Sequence, residues 1–497
     1  YELKPDPKFN DNLEEFFSST LKQKEQTLTD SDREEIIKLA DDLKLRQEAE
    51  DDAELLPKVT IADIPLQRKY TELSLESGNR SIYEVGTNGL IYSDFLFPCG
   101  NLTNEELLFS SLYTFIITEV GLQDKSYEEI QAHQSKISGG IGAAIRLQTE
   151  SSSEPGALFL SISSKCLEEN FNHMEDLIFN TIKSVRFDEE KRVLDLLNIF
   201  VARNEESLNQ NGHYLAMNSA ASSLNALAST SFHLSGLEML HRSKEIISKA
   251  QAEGDIDYIL GVLKSIHSKV SVKPYKVFTA CSKDALKDKV EELESSVNKK
   301  EQQLIDSTSS QIAWITGSQV CYCAQAFNGV SREHPDAAPL SVLATVLRNG
   351  FLHTAIREKG GAYGAGATND TSTNTFKFFS YRDPKCSETF QAFQEAISWA
   401  KTSITPQHLE EAILGVVSSI DKPMSPVGEA KNDFNFNLEE ISIEERLELR
   451  QKIINCTIDD LVRVNEVYLT KDHKKSILAG EGFKDQALEL KMEILEV

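Results

Sequence analysis

The chain repeats itself, and that repeat restricts its fold more than any other feature of the 497 residues. The stretch LSISSKCLEENFNHMEDLIFNTIKSVRF, beginning at Leu160, resembles FFSYRDPKCSETFQAFQEAISWAKTSIT, beginning at Phe378, with Lys165-Cys166 over Lys385-Cys386. KISGGIGAA from Lys136 resembles REKGGAYGA from Arg357, with Gly139-Gly140 over Gly360-Gly361. Further upstream, GLIYSDFLFP resembles SQVCYCAQAF. The offset is 220 in one pair and 221 in another, and the order holds over more than 100 residues. Self-similarity of this kind marks a duplicated structural unit. The sequence therefore predicts two copies of one domain, residues 59–272 and 273–497.

Each copy reads as an alternating strand, a long helix, a double-glycine turn, two strands, and then a series of amphipathic helices. Helices and strands mixed without strict βαβ alternation indicate an α+β fold with a mostly antiparallel sheet. Tyr381-Arg382-Asp383-Pro384 ends a strand, because proline has no N–H to give the ladder.

Residues 1–58 are different. They read as a helical hairpin in which Leu13, Phe16, Phe17 and Leu21 share one helix face and Ile36, Leu39 and Leu43 share another. SDRE at Ser31–Glu34 reads as the capping box of the second helix. Tyr1 to Pro57 holds 17 acidic and 8 basic residues, ending in the acidic run EAEDDAE. One apolar stripe per helix is too little core to stand alone, so the hairpin reads as a linker lying on something else.

Composition narrows the partners. The formal charge of −26, from 52 basic and 78 acidic residues, would repel phosphates and excludes nucleic acid as the expected ligand. The same charge favours basic partners. No apolar run reaches the roughly 20 residues of a membrane span, so no membrane partner is expected. The opening YELKPDPKF has no initiator Met and no secretory pattern, and the chain reads as the inside of a longer polypeptide. Seven scattered cysteines suit reduced thiols in a cytoplasm or an organelle matrix. Cys321 and Cys323 share a strand face, but no second pair completes a zinc set.

A complete active site is missing. None of the ten histidines stands in H-E-x-x-H or H-x-x-E-H, and His173 (HMED) and His408 (HLEE) each lack the second histidine. There is no G-x-S-x-G elbow and no phosphate-binding P-loop. GGIGAAI fails the dinucleotide spacing. What stands out is FLHTAIREKGGAYGAG, from Phe351, with an arginine and a tyrosine flanking the glycine turn. In the first copy the positions of Arg357 and Tyr363 hold Lys136 and Gly142. The scaffold needs the glycines twice, whereas only the second copy carries a guanidinium and a phenol. Taken alone, Arg357 also reads as a favourable charge at a helix C-terminus and Tyr363 as an amphipathic strand residue.

REHPDAAPLSVLATVLRNGFLHTAIREKGGAYGAGA through FFSYRDP resembles the last domain of the pitrilysin/insulinase family of zinc metallopeptidases. The hairpin, NGHYLAMNSAASSLNALA from Asn211 and the Arg-to-Tyr spacing are similar to the presequence protease branch. The resemblance implies four related α+β domains in two halves, joined by a helical hairpin and closing like a clamshell on a peptide-sized chamber. It places the zinc and the H-x-x-E-H motif in the first half and makes this chain the second half, with no metal ligand of its own. It implies that Arg357 and Tyr363 are catalytic, reaching substrate near the scissile bond, and that Gly360 and Gly361 let substrate approach closely. The implied partners are an N-terminal catalytic half, in the same or a separate chain, and short unstructured peptides such as cleaved targeting sequences. The implied compartment is reducing: a mitochondrial matrix or the cytoplasm. A non-catalytic scaffold or partner subunit of the same superfamily is the alternative, and a peptide-binding module without hydrolysis a third reading.

Overall fold

The computed structural model describes residues 8–48, 58–65, 68–148, 156–253, 256–286, 293, 301–307 and 310–497. Residues Tyr1–Thr60 and Ile61–Val497 form separate compact units. In the first, α1 (Phe9–Thr27) and α2 (Asp30–Glu48) are joined by two residues. The capping box lies one step earlier than SDRE: the Thr29 N–H donates to Asp32 Oδ2 at 2.8 Å, and the Asp32 N–H donates to Thr29 Oγ1 at 3.2 Å. Ser31 is already inside the helix, so its hydroxyl cannot serve as the cap. The apolar side chains of Leu13, Phe16, Phe17, Leu21, Ile36, Leu39 and Leu43 are all exposed.

In the second unit, β1 (Leu75–Ser77), β2 (Arg80–Glu84) and β3 (Leu90–Cys99) come first. Then follow α3 (Asn104–Ile117), α4 (Tyr127–Ile137), β4 (Ile141–Gln148), β5 (Gly156–Leu167) and α5 (Phe171–Ser184). The long α6 (Glu190–Ser222) leads to α7 (Ala226–Ser235), α8 (Leu237–Glu253), α9 (Asp257–Lys269), β6 (Lys276–Cys281) and the short β7 (Glu301–Gln302). These strands make one sheet in the order β1-β2-β6-β3-β5-β4, with β7 on the end of β5. All pairings are antiparallel except β2 with β6.

The second sheet begins at β8 (Ile312–Thr316) and β9 (Tyr322–Asn328). Helix α10 (Ala337–Leu347) runs on into a π-helical segment, Arg348–Glu358, followed by β10 (Gly364–Asp370), β11 (Thr375–Tyr381) and α11 (Ser387–Trp399). Helices α12 (Pro406–Ile420), α13 (Pro426–Leu438), α14 (Ile443–Ile454) and α15 (Ile458–Tyr468) come next, then β12 (His473–Gly480), α16 (Lys484–Glu489) and β13 (Glu493–Glu496). The order is β10-β11-β9-β12-β8-β13. Strand by strand it repeats the first sheet: β8, β9, β10, β11 and β12 occupy the places of β2, β3, β4, β5 and β6. The one central parallel pair recurs too, as β8 with β12.

The expected boundary at 272/273 falls inside the first sheet. Strand β6 inserts between β2 and β3, with Val277 opposite both Arg80 and Phe95, so the first sheet is closed by residues after 272. A strand that returns after five helices is a nonlocal pairing, invisible to a local pattern.

The two copies exchange helices. Helix α6 leaves the first sheet and packs on the second: Trp314 Nε1 donates to Ser219 Oγ at 2.8 Å, and Tyr322 OH donates to the Asn209 carbonyl at 2.8 Å. In return α13 packs on the first sheet, where Ala430 and Phe434 join a core with Tyr83, Leu96, Phe159 and Phe278. Polar ties run alongside. Tyr83 OH donates to Asp433 Oδ2 at 3.0 Å, and Lys431 pairs with the buried Asp94. Both faces of the second sheet are therefore covered, α6 on one and α10 with its neighbours on the other. That is why β8 and β9 are buried at nearly every position.

Candidate functional site

The end of the π-helical segment builds the site. Its wide turns show in the Lys359 N–H, which reaches the Thr354 carbonyl five residues back at 3.0 Å. Gly350 allows this segment to lie on Trp399, since a Cβ there would meet Cη2 at 2.6 Å. Such segments recur at functional sites. The segment closes when the Ala362 N–H bonds the Ile356 carbonyl at 3.1 Å and the Gly361 N–H bonds the Arg357 carbonyl at 3.0 Å. Gly361 takes φ +88°, the left-handed conformation that ends helices. A Cβ on Gly360 would stand 2.3 Å from the Ile356 carbonyl oxygen. Both glycines are thus demanded by the turn. In the first copy Gly140 adopts φ +104° in the same place, before edge strand β4.

Arg357 and Tyr363 occupy the two arms of this turn. Arg357 is exposed in the last turn of the π segment, and its Nη1 donates to His353 Nε2 at 3.1 Å. His353 then carries its proton on Nδ1, 3.4 Å from Glu358 Oε1. The remaining guanidinium N–H groups make no hydrogen bond among the described residues. Tyr363 stands just before β10, its N–H held by the Tyr381 carbonyl at 3.0 Å. Its side chain is 68% exposed, and its hydroxyl makes no hydrogen bond among the described residues. Its ring meets Tyr381 edge-on at 5.6 Å. The turn thus presents a planar cationic fork and a phenol, both on the open surface and both with unused donors. A cavity of about 440 Å³ lies elsewhere, by the β10–β11 turn at Thr371–Asn374, and neither residue lines it.

The structure adds residues that the sequence reading missed. Arg382 sits at φ +49°, a strained position for a non-glycine residue, with its guanidinium 5.5 Å from the Tyr381 ring. His213 of α6 reaches across to the same ring. Cys386, at the N-cap of α11, brings a third sulfur to Cys321 and Cys323, all within 4.8 Å of one another and all buried. S–H hydrogen bonds from Cys321 and Cys323 pull the Cys386 thiol down, while burial pushes those two well up. No other His, Cys, Asp or Glu joins this group among the described residues. Zinc takes four ligands in structural sites, or three with an open position for water in catalytic ones, and this dry trio fits neither. No zinc chemistry is assigned to it. The signal for Cys386 was present in the Lys165-Cys166 and Lys385-Cys386 match, but its pairing partners lie more than 60 residues upstream.

Comparison with known proteins places the whole. Solved structures share the fold: a protease from Helicobacter pylori (TM-score 0.58, 14% identity, 83% of this chain and 100% of that one) and a peptidase M16 inactive domain from Pseudomonas fluorescens (TM-score 0.53, 16% identity, 81% and 95%). The family model of the domain associated with M16 peptidases of subfamily C matches residues 3–246, and the model PreP C-terminal domain matches residues 314–479. The mitochondrial presequence protease of Yarrowia lipolytica is 28% identical over 97% of this chain and 50% of its own length; that of Mus musculus is 27% identical over 97% and 50%. The chain belongs to the pitrilysin/insulinase family of peptidases, in its presequence protease branch, and corresponds to the C-terminal half. It spans about half the length of the curated relatives it matches.

Proposed function

We propose that this chain is the non-zinc half of a clamshell metalloendopeptidase that degrades short unstructured peptides. Arg357 and Tyr363 are its contribution to the reaction. The observation that carries this reading is the glycine turn itself: built twice in the fold, it bears two exposed, unsatisfied donors in only one copy. Zinc held by the other half would supply a Lewis acid and an activated water. The residues of this chain bind and orient. The Tyr363 hydroxyl donates to the scissile carbonyl oxygen as negative charge grows on it, and the Arg357 fork holds the neighbouring backbone. Each donor is worth about 2–4 kcal/mol when preorganised. Gly360 and Gly361 add no side chain that would hold substrate off.

Substrates are basic peptides of the targeting-sequence kind, favoured by the net charge of −26 and in keeping with the name of the relatives. The compartment is a reducing mitochondrial matrix, in keeping with relatives called mitochondrial and with seven cysteines that are all unpaired and buried. A two-part assay tests the reading. The chain alone should hold no stoichiometric zinc and leave a fluorogenic basic peptide intact, and adding the N-terminal half of the same protein should bring turnover. Turnover by the isolated chain with one tightly bound zinc would overturn it.

A further inference from the structure

We propose that His213 and Tyr381 are positioning residues that set the ring of Tyr363, so that the long helix of the first copy supports the site carried by the second. The inference rests on the role proposed above for Tyr363. A phenol that is 68% exposed with an unbonded hydroxyl has little to choose its rotamer. Among the described residues its ring touches one other, Tyr381, at 5.6 Å and 72°. Tyr381 in turn is enclosed. His213 meets it edge-on at 4.9 Å and 77°, Tyr322 lies at 5.7 Å, and the Arg382 guanidinium lies 5.5 Å from its centre. Aromatic pairs of this geometry have a preferred mutual angle, worth about 0.5–1.5 kcal/mol each. A chain of them transmits orientation.

The helix is pressed into place for this contact. Any side chain at Gly212 would meet the Tyr322 ring at 2.7 Å, so glycine alone allows α6 so close. The Tyr322 hydroxyl then pins the preceding turn through the Asn209 carbonyl at 2.8 Å. His213 is carried onto Phe379 at 5.3 Å as well as Tyr381. Its Nδ1 is buried and makes no hydrogen bond among the described residues. An imidazole with an orphaned nitrogen costs desolvation that leucine would avoid, so hydrogen bonding does not explain its presence there. Ring stacking does. Burial also depresses its basicity, which leaves an uncharged aromatic ring at neutral pH.

Steady-state kinetics of the natural full-length protein on a fluorogenic peptide, with a thermal melt of each variant, test the inference. His213→Ala should lower kcat about 10-fold, as expected for a slightly misplaced catalytic group, with KM moving less than about threefold. His213→Phe should restore most of the loss. In a Tyr363→Phe background, His213→Ala should have no further effect on kcat. Should the alanine variant fail to fold, His213→Leu keeps the volume without the ring and gives the same readout. An equal kcat penalty in both backgrounds, or a change in KM alone, overturns the positioning role while leaving Tyr363 catalytic. A Tyr363→Phe variant with undiminished kcat removes the reading of Tyr363 and this inference with it.

Discussion

Asp433 is the sharpest place to test how the two copies are held together. Its carboxylate, 4% exposed, accepts from Arg446 Nη1 at 2.9 Å, Tyr83 OH at 3.0 Å and Asn437 Nδ2 at 3.0 Å. Tyr83 belongs to the first sheet and the others to the second copy. Arg446 cannot swing out to water, because it lies between the rings of Tyr70 at 3.9 Å and Phe436 at 4.1 Å. Asp433→Ala therefore leaves a buried, uncompensated guanidinium, and removing one partner of such a pair costs about 3–5 kcal/mol. Asp433→Asn keeps the volume and an acceptor for Arg446 but removes the charge. It should cost less, about 1.5–3 kcal/mol, the range for a charge-assisted hydrogen bond. Urea unfolding followed by circular dichroism reads both values through the midpoint, with the slope unchanged. If Asp433→Asn unfolds within about 0.5 kcal/mol of the parent, the size of an ordinary surface change, the network is not what joins the copies.

Two further outcomes follow from local geometry. The Lys377 ammonium, with Ser372 and Thr373 hydroxyls, offsets burial and holds the Asp370 carboxyl at about 2. A folded-state pKa below the unfolded one gives stability that is present above pH about 4 and lost as pH falls toward 2, about 2 kcal/mol in all. Asp370→Asn should therefore destabilise at pH 7 and be almost neutral at pH 2.5 by thermal melts; an equal cost at both would refute the assignment. Gly361→Ala should destabilise by about 1–2 kcal/mol because of its φ of +88°, whereas Gly415→Ala, whose Cβ would only touch Thr345 at 3.4 Å, should be nearly silent. Equal melting points would deny the turn its special conformation.

The parts of this fold that were legible in the sequence are those fixed within a few residues. The double glycines announced themselves because a left-handed turn has few other solutions, and the repeat made each copy evidence for the other. The arginine and tyrosine became conspicuous through Lys136 and Gly142, which show what the turn looks like without them. The π-helical segment was not legible, since its sequence differs little from that of an α-helix. Nor was the closing of the first sheet by Lys276–Cys281, the meeting of Cys386 with Cys321 and Cys323, or the passage of His213 to Tyr381. Each of these depends on chain segments brought together by the exchange of α6 and α13, and no periodicity encodes that exchange. The cap of α2 was misplaced because Ser31 and Thr29 offer the same chemistry, and only the start of the helix decides between them.

The central claim, that this half supplies donors for the reacting carbonyl, is tested most directly by removing one oxygen atom. Tyr363 is exposed and its hydroxyl bonds nothing in the described structure, so Tyr363→Phe should leave the melting temperature unchanged. In the full-length protein acting on a fluorogenic peptide, kcat should fall about 10²-fold while KM stays within about threefold. Full kcat at unchanged stability would show that Tyr363 is only a surface ring beside Tyr381, and the account would be wrong.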